Sequence, residues 1–326
     1  MNASSRIVSL LSSATEMLFA LELGDRVVGI SHECDFPAAV QSLPRVTRSR
    51  IDARQTSAAI DAQVRTQSAA GEALYTIDTD LLRALRPELI VTQSQCDVCA
   101  VKLQDVLDLV RSEPMLRDTR VIALNPASLD DVFADIQQLG AATGRADAAA
   151  ALVASLRRRV AAVRDKTAAL APAERPRVAC VEWIEPLMLA GNWTPQLIDW
   201  AGGRCELVRG GRHSEYHAWP TLVAFDPEVI VIAPCGFDLA RTMCEARSLP
   251  LRPGWAELSA VRTGRVFALD GNAYLNRSGP RLVETLEILA HLLQPPLFPE
   301  LPATIDQAAS VAQRRWTTAG ESTILD

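Results

Sequence analysis

Several protein classes are excluded by what this chain of 326 residues lacks. There is no excess of positive charge. The net charge is −6 at pH 7 and the isoelectric point about 5.4, with arginines dispersed among acids. The basic face that neutralises a phosphate backbone is therefore missing, and nucleic acid is not an expected partner. No run approaches the roughly 20 apolar residues of a membrane span, so no membrane association is expected. The opening stretch, MNASSRIVSLLSSATEMLFAL, has no uninterrupted apolar centre, because Thr15 and Glu16 break it. No export signal is read there, and the expected location is cytoplasmic. The cysteine count is seven, an odd number that suits a reducing compartment better than a disulfide framework. The chain also has no G-x-S-x-G elbow, no phosphate-cradling glycine loop and no H-E-x-x-H helix. No catalytic residue is assigned, since Glu182 and Glu185 read as ligand acceptors as readily as an acid–base pair.

What is present is apolar material for two domains of ordinary size, with a hydrophobic content of 48%. Residues 144–171 divide it. There Leu152, Val153, Leu156, Val160 and Val163 recur at three- and four-residue steps, placing them in one stripe of a helix, with Arg157, Arg158, Arg159 and Arg164 elsewhere on its surface. Asp147 sits in the first turn, and Pro172 and Pro176 stop continuation. A helix of this length is read as a bridge between two lobes. The expected division is an N-terminal lobe over 1–143, the linking helix over 144–171, a C-terminal lobe over 172–295, and a poorly packed tail over 296–326.

Strand and helix alternate on both sides of this helix, which predicts an α/β fold with mainly parallel sheets. Expected strands cover 6–11, 25–30, 88–93 and 120–124 in the first lobe, and 177–181, 228–233 and 265–269 in the second. Residues 45–75 are polar and weakly periodic, and are read as loop plus a short helix. One grammar recurs: a helix, an arginine or aspartate before proline, then a buried strand with polar residues at its end. It is written ALRPELIVTQ in the first half and AFDPEVIVIA in the second.

These features, with SLLSSATEMLFALELGDRVVGISHECDFP, AGNWTPQLIDWAGG, HAWPTLVAFDPEVIVIAP and NRSGPRLVETLEIL, give a chain that resembles the helical-backbone class of substrate-binding proteins. More narrowly, it is similar over 6–293 to the family of the periplasmic vitamin B12 (cobalamin)-binding protein of ABC importers. The resemblance implies two Rossmann-like lobes joined by the long helix, a ligand cleft between them, and a corrinoid or related ligand. By position it implies Ser12, Phe36, Trp219 and Arg277 as ligand contacts. Glu182, Trp183 and Trp193 join them from their place at a strand end and in the following segment, with core packing the competing role for the tryptophans. Flat aromatic area suits a corrin ring, and arginine can donate to its amides. Importer-coupled members carry a glutamate on each lobe that docks on the permease. At those positions this chain has Asp80 and Pro220, so permease coupling is not expected.

Cysteines supply a second reading. Cys34, Cys96, Cys99 and Cys235 follow expected strands, and Cys96-x-x-Cys99 has the spacing of a two-thiolate claw for zinc or an iron–sulfur cluster, with His32 near enough to complete a site. On that reading the chain is a metal or iron–sulfur protein, with a redox enzyme as one form of it. The competing role for Cys34 and Cys235 is that of small buried hydrophobes.

Overall fold

The computed structural model describes residues 5–95, 98, 100–303, 305 and 311–313. In chain order the elements are β1 (Ile7–Ser9), α1 (Ser12–Ala20), β2 (Val27–Ile30), β3 (Thr47–Ser49), α2 (Ser57–Ala69), β4 (Tyr75–Ile77), α3 (Thr79–Leu85), β5 (Leu89–Gln93), α4 (Leu103–Ser112), β6 (Arg120–Leu124) and α5 (Leu129–Thr143). After them come the long helix α6 (Ala146–Thr167), then β7 (Val178–Trp183), β8 (Met188–Leu189), α7 (Thr194–Trp200), β9 (Glu215–Tyr216), α8 (Trp219–Phe225) and β10 (Val229–Ile232). The chain ends with α9 (Leu239–Glu245), α10 (Ser259–Arg262), β11 (Val266–Leu269), α11 (Leu282–Leu293) and β12 (Val311–Gln313). No helix among the described residues is long and apolar enough to cross a membrane.

The chain forms two compact units. One holds residues 1–55, 59–126 and 130–155; the other holds 56–58, 127–129 and 156–326. The division falls inside α6, whose 22 residues extend over about 33 Å at 1.5 Å per residue. Four of the five stripe residues are buried, Val153, Leu156, Val160 and Val163 being each at most 5% exposed, while Leu152 is half-buried at its edge.

The N-terminal unit is built on a four-stranded sheet in the order β2-β1-β5-β6, parallel throughout. Every residue of β5 is buried, which suits a central strand flanked on both faces. Val8, Leu10 and Ile90 pack with Val46, Leu82, Val101, Val106, Val110 and Leu116 on one side. A separate antiparallel pair, β3 with β4, flanks α2 in and just beyond the stretch expected to be loop plus a short helix. Three-residue strands carry too little alternation to be legible against a polar background.

The C-terminal unit has a six-stranded sheet, β12-β11-β10-β7-β8-β9. Its centre, β11, β10 and β7, is parallel. Its flanks β8, β9 and β12 are antiparallel, so the expectation of mainly parallel sheets holds for the first unit and for the middle of the second. The tail also differs from expectation. Residues 311–313 add a strand to the edge at β11, with Ala268 facing Ala312; Trp316 and Ile324 lie outside the described residues.

Candidate functional site

Parallel strands bring their carboxyl ends to one edge of a sheet, where the loops that follow are free to carry chemistry. In the N-terminal unit, Ser12 opens α1 after β1. The adjacent strand β2 delivers residues 31–36. This segment is clamped from within: one nitrogen of the Arg45 guanidinium donates to the carbonyls of Ser31 (3.1 Å), His32 (3.1 Å) and Cys34 (2.8 Å). With its backbone tied down, the segment turns Phe36 outward at 45% exposure.

His32 is held on three sides. Its Nδ1 lies 2.7 Å from the Thr47 hydroxyl, its Nε2 3.1 Å from a Glu33 carboxylate oxygen, and its ring 5.3 Å from that of Tyr75. Cys34 is 1% exposed, and its Sγ is 3.1 Å from the Thr15 hydroxyl, which itself donates to Ser9 Oγ at 2.8 Å. Thr15 thus ties the end of β1 to the turn after β2, and Cys34 is packed inside the unit. Cys96 and Cys99 lie outside the described residues. Among the described residues no group of three or more His, Cys, Asp or Glu side chains is arranged to hold a metal ion.

The C-terminal unit gathers the larger set. Strands β7, β10 and β11 are neighbours, so their ends bring together Glu182 and Trp183, Cys235 and Phe237, and the segment containing Asn272 and Arg277. Backbone bonds hold them in register: Cys235 N–H donates to the Glu182 carbonyl at 3.1 Å, and Asn272 N–H to the Phe237 carbonyl at 3.1 Å. Trp183 and Phe237 meet at 5.3 Å with their rings tilted by 59°, the edge-to-face range for an aromatic pair. The Arg241 guanidinium lies 3.6 Å from the Phe237 ring centroid, a cation–π contact. α9 presents Arg241 because Asp238 caps it, accepting the Arg241 N–H at 2.7 Å. The Trp183 indole donates to the Ser57 carbonyl at 3.2 Å, Ser57 being counted with this unit.

Glu182 accepts the Ser214 hydroxyl at 2.5 Å, and Ser214 Oγ in turn accepts the Gly191 N–H at 2.9 Å. That arrangement needs glycine. A Cβ at 191 would sit 2.4 Å from the Arg212 carbonyl oxygen. Arg277 is 5% exposed and donates to Asn272 Oδ1 at 2.7 Å, so it is an interior residue of the same segment.

Two of the expected tryptophans fall elsewhere. Trp193 is 5% exposed, and its indole donates to the Leu275 carbonyl at 2.8 Å, which makes it a core residue. Trp219 begins α8, stacks on Trp255 at 6.1 Å, lies beneath the Arg252 guanidinium at 5.1 Å and donates to the Pro253 carbonyl at 2.6 Å. It belongs to a cluster separate from the Trp183–Phe237 pair in its contacts. Arg252 also binds the Glu185 carboxylate. Tyr75, Phe237 and Arg241 are not singled out by the sequence. Tyr75 sits in a stretch read as loop, and no spacing signals a contact that depends on two strand ends and a helix cap.

Electrostatics separates these groups from the cysteines. Burial pushes the Cys180 thiol well above its ordinary value and the Cys205 thiol to about 11, which disfavours the thiolate at both. Asp270, whose carboxylate caps the turn at Ala273 from 2.7 Å, is also raised by burial and then by the nearby charge of Asp238.

Residues 7–273 match the periplasmic binding protein family. An ABC transporter substrate-binding lipoprotein of Bacillus subtilis (strain 168), YvrC, itself described as uncharacterized, is 24% identical over 303 residues, covering 90% of this chain and 82% of that protein. Among solved structures, the periplasmic vitamin B12-binding protein BtuF of Vibrio cholerae shares the fold with a TM-score of 0.65 at 20% identity, covering 89% of this chain and 96% of its own. A periplasmic heme-binding protein from Pseudomonas aeruginosa does so with a TM-score of 0.67 at 22% identity, covering 94% of this chain and 96% of its own. Two α/β units with a long helix running through the division, matched along most of their length, place the chain: it belongs to the periplasmic binding protein family.

Proposed function

We propose that this protein is an ABC-transporter-type substrate-binding protein whose ligand is a corrinoid or a related flat tetrapyrrole. The observation that carries the reading is the group at the ends of β7, β10 and β11. There the half-buried Trp183 supplies aromatic area, backed by the Phe237 ring, which is itself 2% exposed and covered by Arg241 at 3.6 Å, and Glu182 stands beside them as an acceptor. Aromatic surface with a few placed polar groups is what a large, flat, amide- or carboxylate-edged macrocycle needs. Neighbours in fold that bind vitamin B12 and heme support the same ligand class.

Absence of permease coupling is part of the proposal. Asp80 and Pro220 occupy the first turns of α3 and α8. Asp80 is exposed but held by Arg83 at 2.7 Å, and Pro220 offers no carboxylate. A cytoplasmic location is the remaining part; the odd cysteine count supports it, and cell fractionation of the full-length protein tests it, recovery outside the cytoplasm overturning it.

The ligand reading is tested by titrating the protein with cyanocobalamin and, separately, hemin, following the visible spectrum. Saturable binding of either is expected. Trp183→Ala removes one face of the aromatic pair and should weaken the affinity by about tenfold, the effect of losing on the order of 1.4 kcal/mol of ring contact. No saturable binding of either macrocycle removes the tetrapyrrole reading.

A further inference from the structure

The feature with the most to say beyond this reading lies at the other end of the N-terminal unit, where α3 turns into β5. Arg6, Arg83, Ala84, Arg86 and Met115 line an open concavity of about 430 Å³. Three guanidiniums border it, and they differ in how they are satisfied. Arg83 is spent on carboxylates, bidentate to Glu113 at 2.7 and 2.6 Å and bound to Asp80 at 2.7 Å. Arg6 donates to the carbonyls of Ala84 and Leu85 at the end of α3. Neither Arg6 nor Arg86 has a carboxylate partner among the described residues.

The C-terminal unit contains the same construction with its charge balanced. Arg177 immediately precedes β7 as Arg6 immediately precedes β1, and it donates to the Asp226 carbonyl at 3.0 and 2.7 Å. Position 226 is the counterpart of 86, since both close a helix in the left-handed conformation immediately before proline. At 226, however, stands an acid, whose carboxylate lies 3.5 Å from Arg177, with Glu228 at 3.4 Å. In the N-terminal unit that carboxylate is replaced by a third arginine. The cations remain, and space is left in front of them.

We propose that this concavity is a binding site for a small oxyanion, which supplies to Arg6 and Arg86 the negative charge that Asp226 supplies to Arg177. Guanidiniums match the planar oxygens of carboxylate and phosphate. The carbonyl end of α3 opposes an anion through the helix dipole, but Arg6 already covers two of those carbonyls, so the opposing charge is partly neutralised. Binding is therefore weak, in the millimolar range expected of an exposed site in water.

The test compares wild type with Arg86→Asp, which rebuilds the arrangement of the C-terminal unit. Melting is followed in phosphate, acetate and chloride at one ionic strength. For wild type, phosphate at about ten times its dissociation constant should raise Tm by roughly 2–5 °C over chloride and saturate, while Arg86→Asp should gain less than about 1 °C. A larger effect of phosphate than of acetate assigns the site to phosphate-bearing molecules; an equal effect assigns it to carboxylates. A gain from phosphate that is the same in both proteins, or absent from wild type, overturns the site. Because a variant can shift Tm for other reasons, amide chemical shifts at Leu85 and Arg86 are followed in the wild-type titration, and unmoved resonances overturn it as well.

Discussion

The two helix–proline–strand segments, α3 into β5 and α8 into β10, are alike in backbone and opposite in charge. Each helix ends in a residue of positive φ, +45° at Arg86 and +47° at Asp226. Each next strand starts by donating two backbone N–H groups to one arginine carbonyl: Glu88 and Leu89 to Arg6 at 2.9 and 3.2 Å, Glu228 and Val229 to Arg177 at 2.8 and 3.1 Å. Each of those arginines then binds carbonyl oxygen where the helix ends, Arg6 at Ala84 and Leu85, Arg177 at Asp226. The turn is thus determined by proline, which stops the helix, and by the clasp of the neighbouring strand. The side chain at the left-handed position is left free to differ. In one unit it is an acid that also caps α10, accepting the Ser259 N–H and hydroxyl at 2.7 Å each. In the other it is an exposed cation. The comparison teaches that this repeat preserves geometry and leaves charge open for separate use.

The largest expected effect sharpens the contrast in how tightly each segment is enclosed. A Cβ at Gly271 would lie 2.3 Å from the Pro234 carbonyl oxygen just after β10. Backbone cannot yield there, and Gly271→Ala should cost about 3 kcal/mol or more in urea unfolding. In the first unit a Cβ at Gly29 meets Leu85 Cδ1 at 2.7 Å, at the end of α3. That methyl can rotate away, so Gly29→Ala should cost only about 1 kcal/mol. Equal losses would show that the two environments are equally rigid.

A second effect concerns acids without partners. Asp135 on α5 is 8% exposed, its Oδ2 has no hydrogen-bond partner, and burial, with the neighbouring Asp131 charge, pushes its carboxyl up to about 7. The folded state therefore holds a proton that the unfolded chain releases near pH 4. The resulting stability is fully present below that value and is lost as pH rises towards 7. Asp135→Asn should flatten this slope and stabilise the protein at pH 8 by on the order of 2 kcal/mol. An unchanged pH profile would remove Asp135 as its source.

Smaller effects test the repeat itself. Asp226→Ala removes the cap on α10 and the charge beside Arg177, and should cost about 1–2 kcal/mol. The Ser259 bonds, foremost, hold the Asp226 carboxyl below its ordinary range. Its contribution is thus present above about pH 4 and is lost as pH falls through the depressed value. Arg86→Ala removes no bond among those described and should change stability by less than about 0.5 kcal/mol. A loss at Arg86 as large as that at Asp226 would break the claim that position 86 is structurally idle.

Much of this was legible in the residues. ALRPELIV and AFDPEVIV mark the two central strands, which are buried throughout, because uninterrupted β-branched and aliphatic runs behind a proline leave little alternative. The strand expected over 120–124 is β6 itself, and four of the five residues of the apolar stripe of α6 are buried. The two-residue strands β8 and β9 were not legible. They carry no period, and they exist through pairing with β7 and with each other. Nor was the fate of the tryptophans, for AGNWTP and CVEWIE both offer an aromatic beside polar residues.

By itself, then, the sequence determined the order of the helices and the central strands, the long helix, and the paired turns, all of which depend on residues a few positions apart. Only the tertiary structure decided which tryptophan is buried and which stays partly exposed. Trp193 is core because its indole reaches a carbonyl 82 positions later. Trp183 meets Phe237 because β7 and β10, distant in sequence, are neighbours in the sheet. It also decided that Arg86 faces open space where Asp226 faces a partner, since a charge acquires its role from what the fold brings against it.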